Sequence, residues 1–176
     1  MAAASRRGLL GAGLLLLSRC GWQPLYAARG DGSAGPAEQG LAEVSVALIP
    51  ERLGQLLRQE LQIRLGRGGT GAAKRYDLAA QMGLAGELLN IQQTTSIPSR
   101  FRLIGTANWS LVSLDAKRRT LTGGTARVVD GFNLYDQQFF AADLQTDAVQ
   151  RRMAAAAAEQ ITQQLAAWFI RNAATP

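Results

Sequence analysis

Two short clusters of basic residues carry the side chains best suited to bind an anion. Arg100 and Arg102 are separated by one residue, which places both on the same face of a strand. Lys117, Arg118 and Arg119 stand together between two segments that have strand-like patterns. Guanidinium groups bind phosphate and carboxylate oxygens bidentately. Each cluster therefore either contacts an anionic lipid head group or serves only as solubilising charge at a sheet edge.

The single cysteine, Cys20, indicates a second kind of chemistry, the covalent attachment of lipid. It follows two arginines and the apolar run Leu9–Leu17, which is the order of an export signal. A membrane-spanning helix needs roughly 20 apolar residues, so this run is too short to be one. A lone cysteine at this junction is typical of a bacterial lipoprotein, and an uncleaved N-terminal anchor is the alternative. Arg19 precedes it, where lipoprotein signals favour a small residue.

Side chains for catalysis or metal binding are sparse. The chain has no histidine, which removes the commonest general base, and one cysteine is too few for a zinc site. The thirteen carboxylates are scattered, so a hydrolase with paired acids is the weakest alternative. Residues 66–71 match the glycine spacing of a dinucleotide-binding loop, but they end a predicted helix rather than open one. The sequence predicts no enzyme, no cofactor and no metal.

The charge of the chain depends on whether residues 1–19 are removed. The full sequence has 19 basic and 13 acidic residues and a formal net charge of +6. Removing residues 1–19 takes away three arginines and no acid, which leaves a charge of +3. A nucleic-acid-binding domain keeps a strong positive field, so we predict no nucleic-acid partner.

The elements that must position these residues follow from hydrophobic periodicity. Alternating apolar residues predict strands at 44–48, 76–84, about 101–114 and about 119–129, with a turn at 115–118 and a bulge or bend at Gly123 and Gly124. Residues 86–99 are either a continuation of the second strand or a loop, and the polar residues 92–96 within them suit either sugar binding or a solvated loop. Leucines spaced four apart predict a helix from Glu51 to Gly66. A second apolar stripe predicts a C-terminal helix that Thr146 caps.

This order predicts an α+β fold in which two helices pack on one face of a four-stranded mixed sheet, in the order β-α-β-β-β-α. We expect a signal peptide at 1–19, a lipidated N-terminus and flexible tether at 20–42, and a single domain at 43–172. The tether assignment depends on the Gly, Ala, Ser and Pro residues that dominate the segment up to about Gly40.

Residues 20–26, Cys-Gly-Trp-Gln-Pro-Leu-Tyr, resemble the mature N-terminus of the LPS-assembly lipoproteins of the LptE family. The predicted order of elements also fits that family. The resemblance implies a non-enzymatic lipoprotein that is anchored through Cys20 and faces the periplasm from the Gram-negative outer membrane. Gly21, the residue after the lipidated cysteine, fits sorting to the outer membrane.

The resemblance also implies partners. The domain is expected to lie inside the β-barrel translocon LptD, to act as its plug and assembly partner, and to contact lipopolysaccharide. Arg100, Arg102, Lys117, Arg118 and Arg119 are the candidate contact residues. A stand-alone periplasmic lipoprotein that binds a small or lipidic ligand is the alternative, and a deep apolar pocket would favour it.

Overall fold

The computed structural model describes residues 33–66, 71–91, 98–133 and 139–173, and describes side chains in these ranges except at 88–91, 98–100, 132–133 and 139–145. The predicted signal peptide, Cys20 and the polar residues 92–96 lie outside the described residues. The elements in chain order are α1 (Pro36–Ala42), β1 (Val44–Val46), α2 (Glu51–Leu65), β2 (Tyr76–Ile91), β3 (Pro98–Ser113), β4 (Thr120–Asn133) and α3 (Phe139–Ala173).

The four strands form one mixed sheet, as predicted, and their order in it is β1-β2-β3-β4. β1 is parallel to β2, with Val44 opposite Tyr76, because α2 carries the chain back across the sheet between them. β2, β3 and β4 form an antiparallel meander. The stretch from Gly86 to Ile91 continues β2 rather than forming a loop.

The core lies between the sheet and α2 and α3. The leucine stripe of α2 is buried at Leu57, Leu61 and Leu65, and the predicted stripe of α3 is also buried. On the strands, the buried residues alternate along the chain, as Leu103, Ala107, Trp109 and Leu111 do in β3. The opposite face of the sheet, which we call the free face, has exposed side chains such as Gln81 and Arg127.

The prediction of two helices was wrong, because the described residues contain a third, α1. It lies in the C-terminal part of the segment predicted to be a tether. Pro36 opens this helix, and Ala37, Leu41 and Ala42 are buried. Gly40 packs so closely on Phe169 of α3 that a Cβ atom there would overlap the ring. The small residues that suggested a flexible tether therefore allow close contact with α3.

α3 also begins earlier than predicted, at Phe139 rather than next to Thr146. At 35 residues it is roughly 50 Å long. Asp147 lies inside the helix, where its carboxylate pairs with Arg151 at 2.7 Å and also with Arg52 of α2. No helix within the described ranges combines the length and apolar character that crossing a bilayer requires.

The predicted irregularity of β4 is present, at Leu121, two residues before the glycines that suggested it. The shift in pairing falls between Leu111 and Val112, opposite Thr120 and Thr122. Gly124 serves another purpose, because a Cβ atom there would lie 2.9 Å from the side-chain oxygen of Gln164 in α3. The glycine allows α3 to lie close to β4.

Candidate functional site

The turn between β3 and β4 presents the basic cluster Lys117–Arg119, and Asp115 organises it. The carboxylate of Asp115 accepts hydrogen bonds from Ser113 Oγ at 2.9 Å and from the backbone amides of Lys117 and Arg118 at 3.0 and 2.9 Å. These bonds, that of Ser113 above all, hold the pKa of Asp115 below its usual value. Arg118 takes a left-handed conformation with φ of 43°. Asp115 thus stays ionised and fixes the turn.

The three basic side chains of the turn differ in their ion pairs. Arg118 lies 3.9 Å from the carboxylate of Asp77, and Arg119 lies 3.5 Å from that of Asp115. Both guanidinium groups are about two-thirds exposed, so these pairs are weak and leave the cations accessible. Lys117 is exposed and forms no ion pair with the described residues. The turn is therefore a cationic surface.

A cleft of about 570 Å³ lies beside this turn, at the end of the sheet where β2 begins. It brings Lys74 and Arg75, the two residues before β2, next to Arg119. The residues that line it are Lys74, Arg75, Tyr76, Ser113, Leu114, Asp115, Arg119, Leu121, Trp168 and Asn172. We call this surface, together with Lys117 and Arg118, the basic cleft.

The floor of the basic cleft is aromatic and apolar. Tyr76 and Trp168 form edge-to-face contacts with each other and with Phe169, with ring centroids 5.0 to 6.4 Å apart. The guanidinium carbon of Arg75 lies 5.9 Å from the Tyr76 ring centroid, within the range of a cation–π interaction. A rigid apolar floor with a cationic rim can hold a molecule that has both an anionic group and a hydrocarbon part.

The two basic clusters predicted from the sequence do not form one site. Arg102 lies near the other end of β3, on the free face, and its Nε atom donates a hydrogen bond to Glu87 at 3.0 Å. Ser113 lies eleven positions further along β3, a distance of roughly 35 Å along an extended strand. Arg100 lies opposite Leu89 and Asn133 in the sheet, and its side chain lies outside the described part of the chain.

Sequence reasoning missed Lys74, Arg75 and Trp168 as members of the site. Lys74 and Arg75 are an adjacent basic pair directly before a predicted strand, as Arg118 and Arg119 are before another. Their position beside Arg119 depends on the long-range pairing of β2 with β3, which puts Tyr76 opposite Ser113. Trp168 belongs to the apolar stripe that predicts the C-terminal helix, and such a residue is expected in the core, but it is only half-buried.

The LptE lipopolysaccharide-assembly family model matches residues 41–165, which is most of the chain and nearly all of the described domain. The chain belongs to the LptE family. This confirms the resemblance proposed from residues 20–26 and from the order of elements, although residues 20–26 themselves lie before the matched region. Membership of this family supports the identification of the protein as a lipoprotein with a role in lipopolysaccharide assembly.

Solved structures of lipoproteins share this fold. A crystal structure of a protein from Caulobacter crescentus that is described as a lipoprotein has 26% sequence identity to this chain and a TM-score of 0.60. The match covers 77% of this chain and 98% of that one. Rare lipoprotein B of Shewanella oneidensis has 14% identity and a TM-score of 0.56, over 74% and 98% of the two chains. A minor lipoprotein of Acinetobacter baumannii has 18% identity and a TM-score of 0.55, over 72% and 92%. No curated protein matched the sequence.

Proposed function

We propose that this protein is a non-enzymatic outer-membrane lipoprotein that plugs the LptD β-barrel, assists its assembly and contacts lipopolysaccharide on its way to the cell surface. The observation that carries the lipid contact is the basic cleft. Lys74, Arg75 and Arg119 supply positive charge at its rim, and Tyr76 and Trp168 supply an apolar surface within it. A phosphorylated glycolipid has both complementary parts.

Binding at the basic cleft would be mainly electrostatic. Arginine forks match phosphate oxygens bidentately, and the partial exposure of the Arg118 and Arg119 pairs allows these side chains to exchange a carboxylate for a phosphate. Burial of acyl carbon against Trp168 adds affinity in proportion to the area removed from water. Recognition of a phosphorylated glycolipid requires both contributions, because the cations alone would also bind a simple anion and the apolar surface alone would also bind a simple apolar ligand.

The anchor and the domain have separate tasks in this proposal. Acyl chains on Cys20 hold the protein on the membrane, since several chains bind far more firmly than one. The residues between Cys20 and α1 give the domain reach into a partner in the same membrane. Intact-mass measurement tests the anchor: a mature N-terminus other than a triacylated Cys20 would contradict it.

Replacing Lys117, Arg118 and Arg119 by alanine tests the lipid contact. We expect lipopolysaccharide binding to weaken about tenfold or more, since charge-assisted hydrogen bonds contribute about 1.5–3 kcal/mol each. The domain should stay folded, because the pairs lost are exposed. Arg102→Ala tests the second predicted cluster in the same assay.

Arg151→Ala is the matched control, because it removes an exposed arginine and its pair with Asp147 on α3, away from the cleft. It should leave lipopolysaccharide binding unchanged. If all the variants bound lipopolysaccharide as well as the unsubstituted protein, the basic residues would serve only as solubilising charge. A loss in the Arg151 control of about one-third of the binding free energy that the turn variant loses would show a response to net charge only, because the control removes one positive charge where the turn variant removes three.

Depletion of the protein tests the barrel partnership. We expect LptD to be misassembled and lipopolysaccharide to accumulate before the cell surface, and we expect LptD to co-purify with the protein from detergent-solubilised outer membrane. Normal barrel assembly and normal transport after depletion would refute the proposal. Lipid binding without a barrel partner would support instead a stand-alone periplasmic lipoprotein.

A further inference from the structure

The two edges of the sheet differ in whether their outward backbone groups are hydrogen-bonded. At the β4 edge, side chains of α3 bind these groups. The Gln160 amide accepts a hydrogen bond from the Arg127 backbone N–H at 3.1 Å and donates one to the Arg127 carbonyl at 3.2 Å. Gln164 donates to the Thr125 carbonyl at 3.2 Å. These amides occupy the backbone groups that an added strand would use, which is one way in which proteins block a sheet edge.

The opposite edge, formed by β2, is open along most of its length. β1 pairs only with the first three residues of β2, and the last hydrogen bond joins the Ala47 amide to the Leu78 carbonyl at 3.0 Å. Within the part of the chain that the structure describes, nothing else pairs with this edge. Backbone groups of alternate residues point to the same side of a strand. The residues whose N–H and C=O point outward, as those of Leu78 do, are therefore Ala80, Met82, Leu84 and Gly86.

The composition of this edge does not protect it. Residues 79–86 read Ala-Ala-Gln-Met-Gly-Leu-Ala-Gly and contain no charge and no proline. Glu87, the first charged residue after them, is paired with Arg102 of β3. Edge strands are normally protected by lysine, proline, a bulge or a covering segment. The small side chains here instead let another backbone approach closely.

A cleft of about 580 Å³ follows this edge on the free face and marks the space for an added chain. Its lining residues are Glu51, Gln81, Met82, Gly83, Leu84, Ala85, Ile104, Thr106 and Asn108. The free-face side of the cleft is mostly polar, with Gln81 and Asn108 exposed. The other side of the same edge faces the core and is apolar, with Met82 buried and Leu84 half-buried. A strand that alternates polar and apolar side chains fits both sides.

We propose that the free edge of β2, from Ala80 to Gly86, pairs with an unpaired strand of the β-barrel partner while that barrel is still open. This inference rests on the proposed function. Strands of transmembrane barrels alternate apolar and polar residues, which is the pattern that the two sides of this edge accept. A closed barrel has no free edge, so the pairing belongs to assembly. Main-chain hydrogen bonds supply the affinity, as in other cases of strand addition.

Two substitutions test the edge. Ala80→Pro removes an outward N–H without removing a hydrogen bond to β3, and Ala85→Lys adds a charge beside the edge on the free face. Val129→Lys is the matched control, because Val129 lies in the same cross-strand row as Ala85 but at the closed β4 edge. We expect Ala80→Pro in the full-length lipoprotein to lower the yield of assembled barrel at least about fivefold, the effect of about one net hydrogen bond, and we expect Ala85→Lys to lower it as well. The control should leave the yield unchanged.

Photo-cross-linking tests the same edge without substitutions that could prevent this protein from folding. A photoreactive residue at Gln81 should cross-link to newly made, pulse-labelled barrel, and one at Thr125, in the same row at the β4 edge, should not. Cross-links from Gln81 to a second copy of this chain, or equal cross-linking from both positions, would overturn the inference. So would normal barrel yield in both β2 variants while depletion of the protein still impairs the barrel. If depletion itself has no effect, the proposed function fails first.

Discussion

The contact between Gln164 and Trp109 is expected to be a larger source of stability than its position at the rim of the domain suggests. The indole N–H of Trp109 donates to Gln164 Oε1 at 2.9 Å, and Trp109 is only 6% exposed. Gln164→Ala leaves that buried donor without a partner, which costs about 1–3 kcal/mol. The bond from Gln164 to the Thr125 carbonyl is also lost, but water replaces it because Thr125 is exposed. We therefore expect a loss of about 2 kcal/mol, or about 4–8 °C in Tm.

Gln160→Ala is the control for this prediction. Gln160 lies one turn earlier in α3, is half-buried like Gln164, and bonds only the backbone of the exposed Arg127. The change in helix propensity is the same in both variants, and water replaces both lost bonds of Gln160, so its cost should stay below about 1 kcal/mol. Urea unfolding of both variants, followed by circular dichroism, measures the difference. Equal losses within about 0.5 kcal/mol would refute the argument that burial of Trp109 decides the magnitude.

Three further measurements test other parts of the structure. Gly40→Ala should lower the Tm, because overlap with the Phe169 ring costs about 1–3 kcal/mol and outweighs the stability that alanine usually adds to a helix in place of glycine. In a Phe169→Leu background the same substitution should cost less. A higher Tm in Gly40→Ala would contradict the packing of α1 on α3. Burial raises the pKa of Asp130, but hydrogen bonds from Arg152 and the adjacent backbone amide lower it by more, to below 3.8. The ionised carboxylate therefore stabilises the folded state above pH 3.8, and this stabilisation is lost as the pH falls through the lowered pKa. Urea titrations at about pH 6 and pH 3 should therefore show a smaller acid loss in Arg152→Gln than in the parent, by less than about 1 kcal/mol, and an equal loss would exclude the pair as its cause. Leu61→Ala, at a fully buried position, should cost about 2.5–5 kcal/mol in urea unfolding, and a loss below about 1 kcal/mol would contradict the described core.

Much of the fold could be predicted because its elements leave a local periodic signal. The leucine spacing defined α2 to within a residue, and alternation identified the buried side of β3. α1 could not be predicted, because its seven residues are small and its stability depends on contact with Phe169, more than 120 positions later. The true start of α3 was missed because Thr146 is a good cap by type, yet the preceding residues continue the helix.

The candidate site was predicted only in part for a related reason. The turn at Asp115–Arg118 and its basic residues follow from neighbours in the sequence, so they were found. The addition of Lys74 and Arg75 depends on strand pairing, which joins residues about 40 positions apart. Arg102 lies far from the turn because β3 is extended between Arg102 and Ser113, although both clusters looked equivalent as sequence.

The class of fold, the positions of most elements, the basic turn and the resemblance to the LptE family could be inferred from the amino-acid sequence alone, because each depends on residues that are neighbours in the chain. Folding in three dimensions was needed to show which cations share the basic cleft, that α1 docks on α3, and that one sheet edge is closed while the other is open. These features depend on register and on contacts between distant segments. A periodic pattern fixes the face that a side chain occupies, but not the element that it meets there.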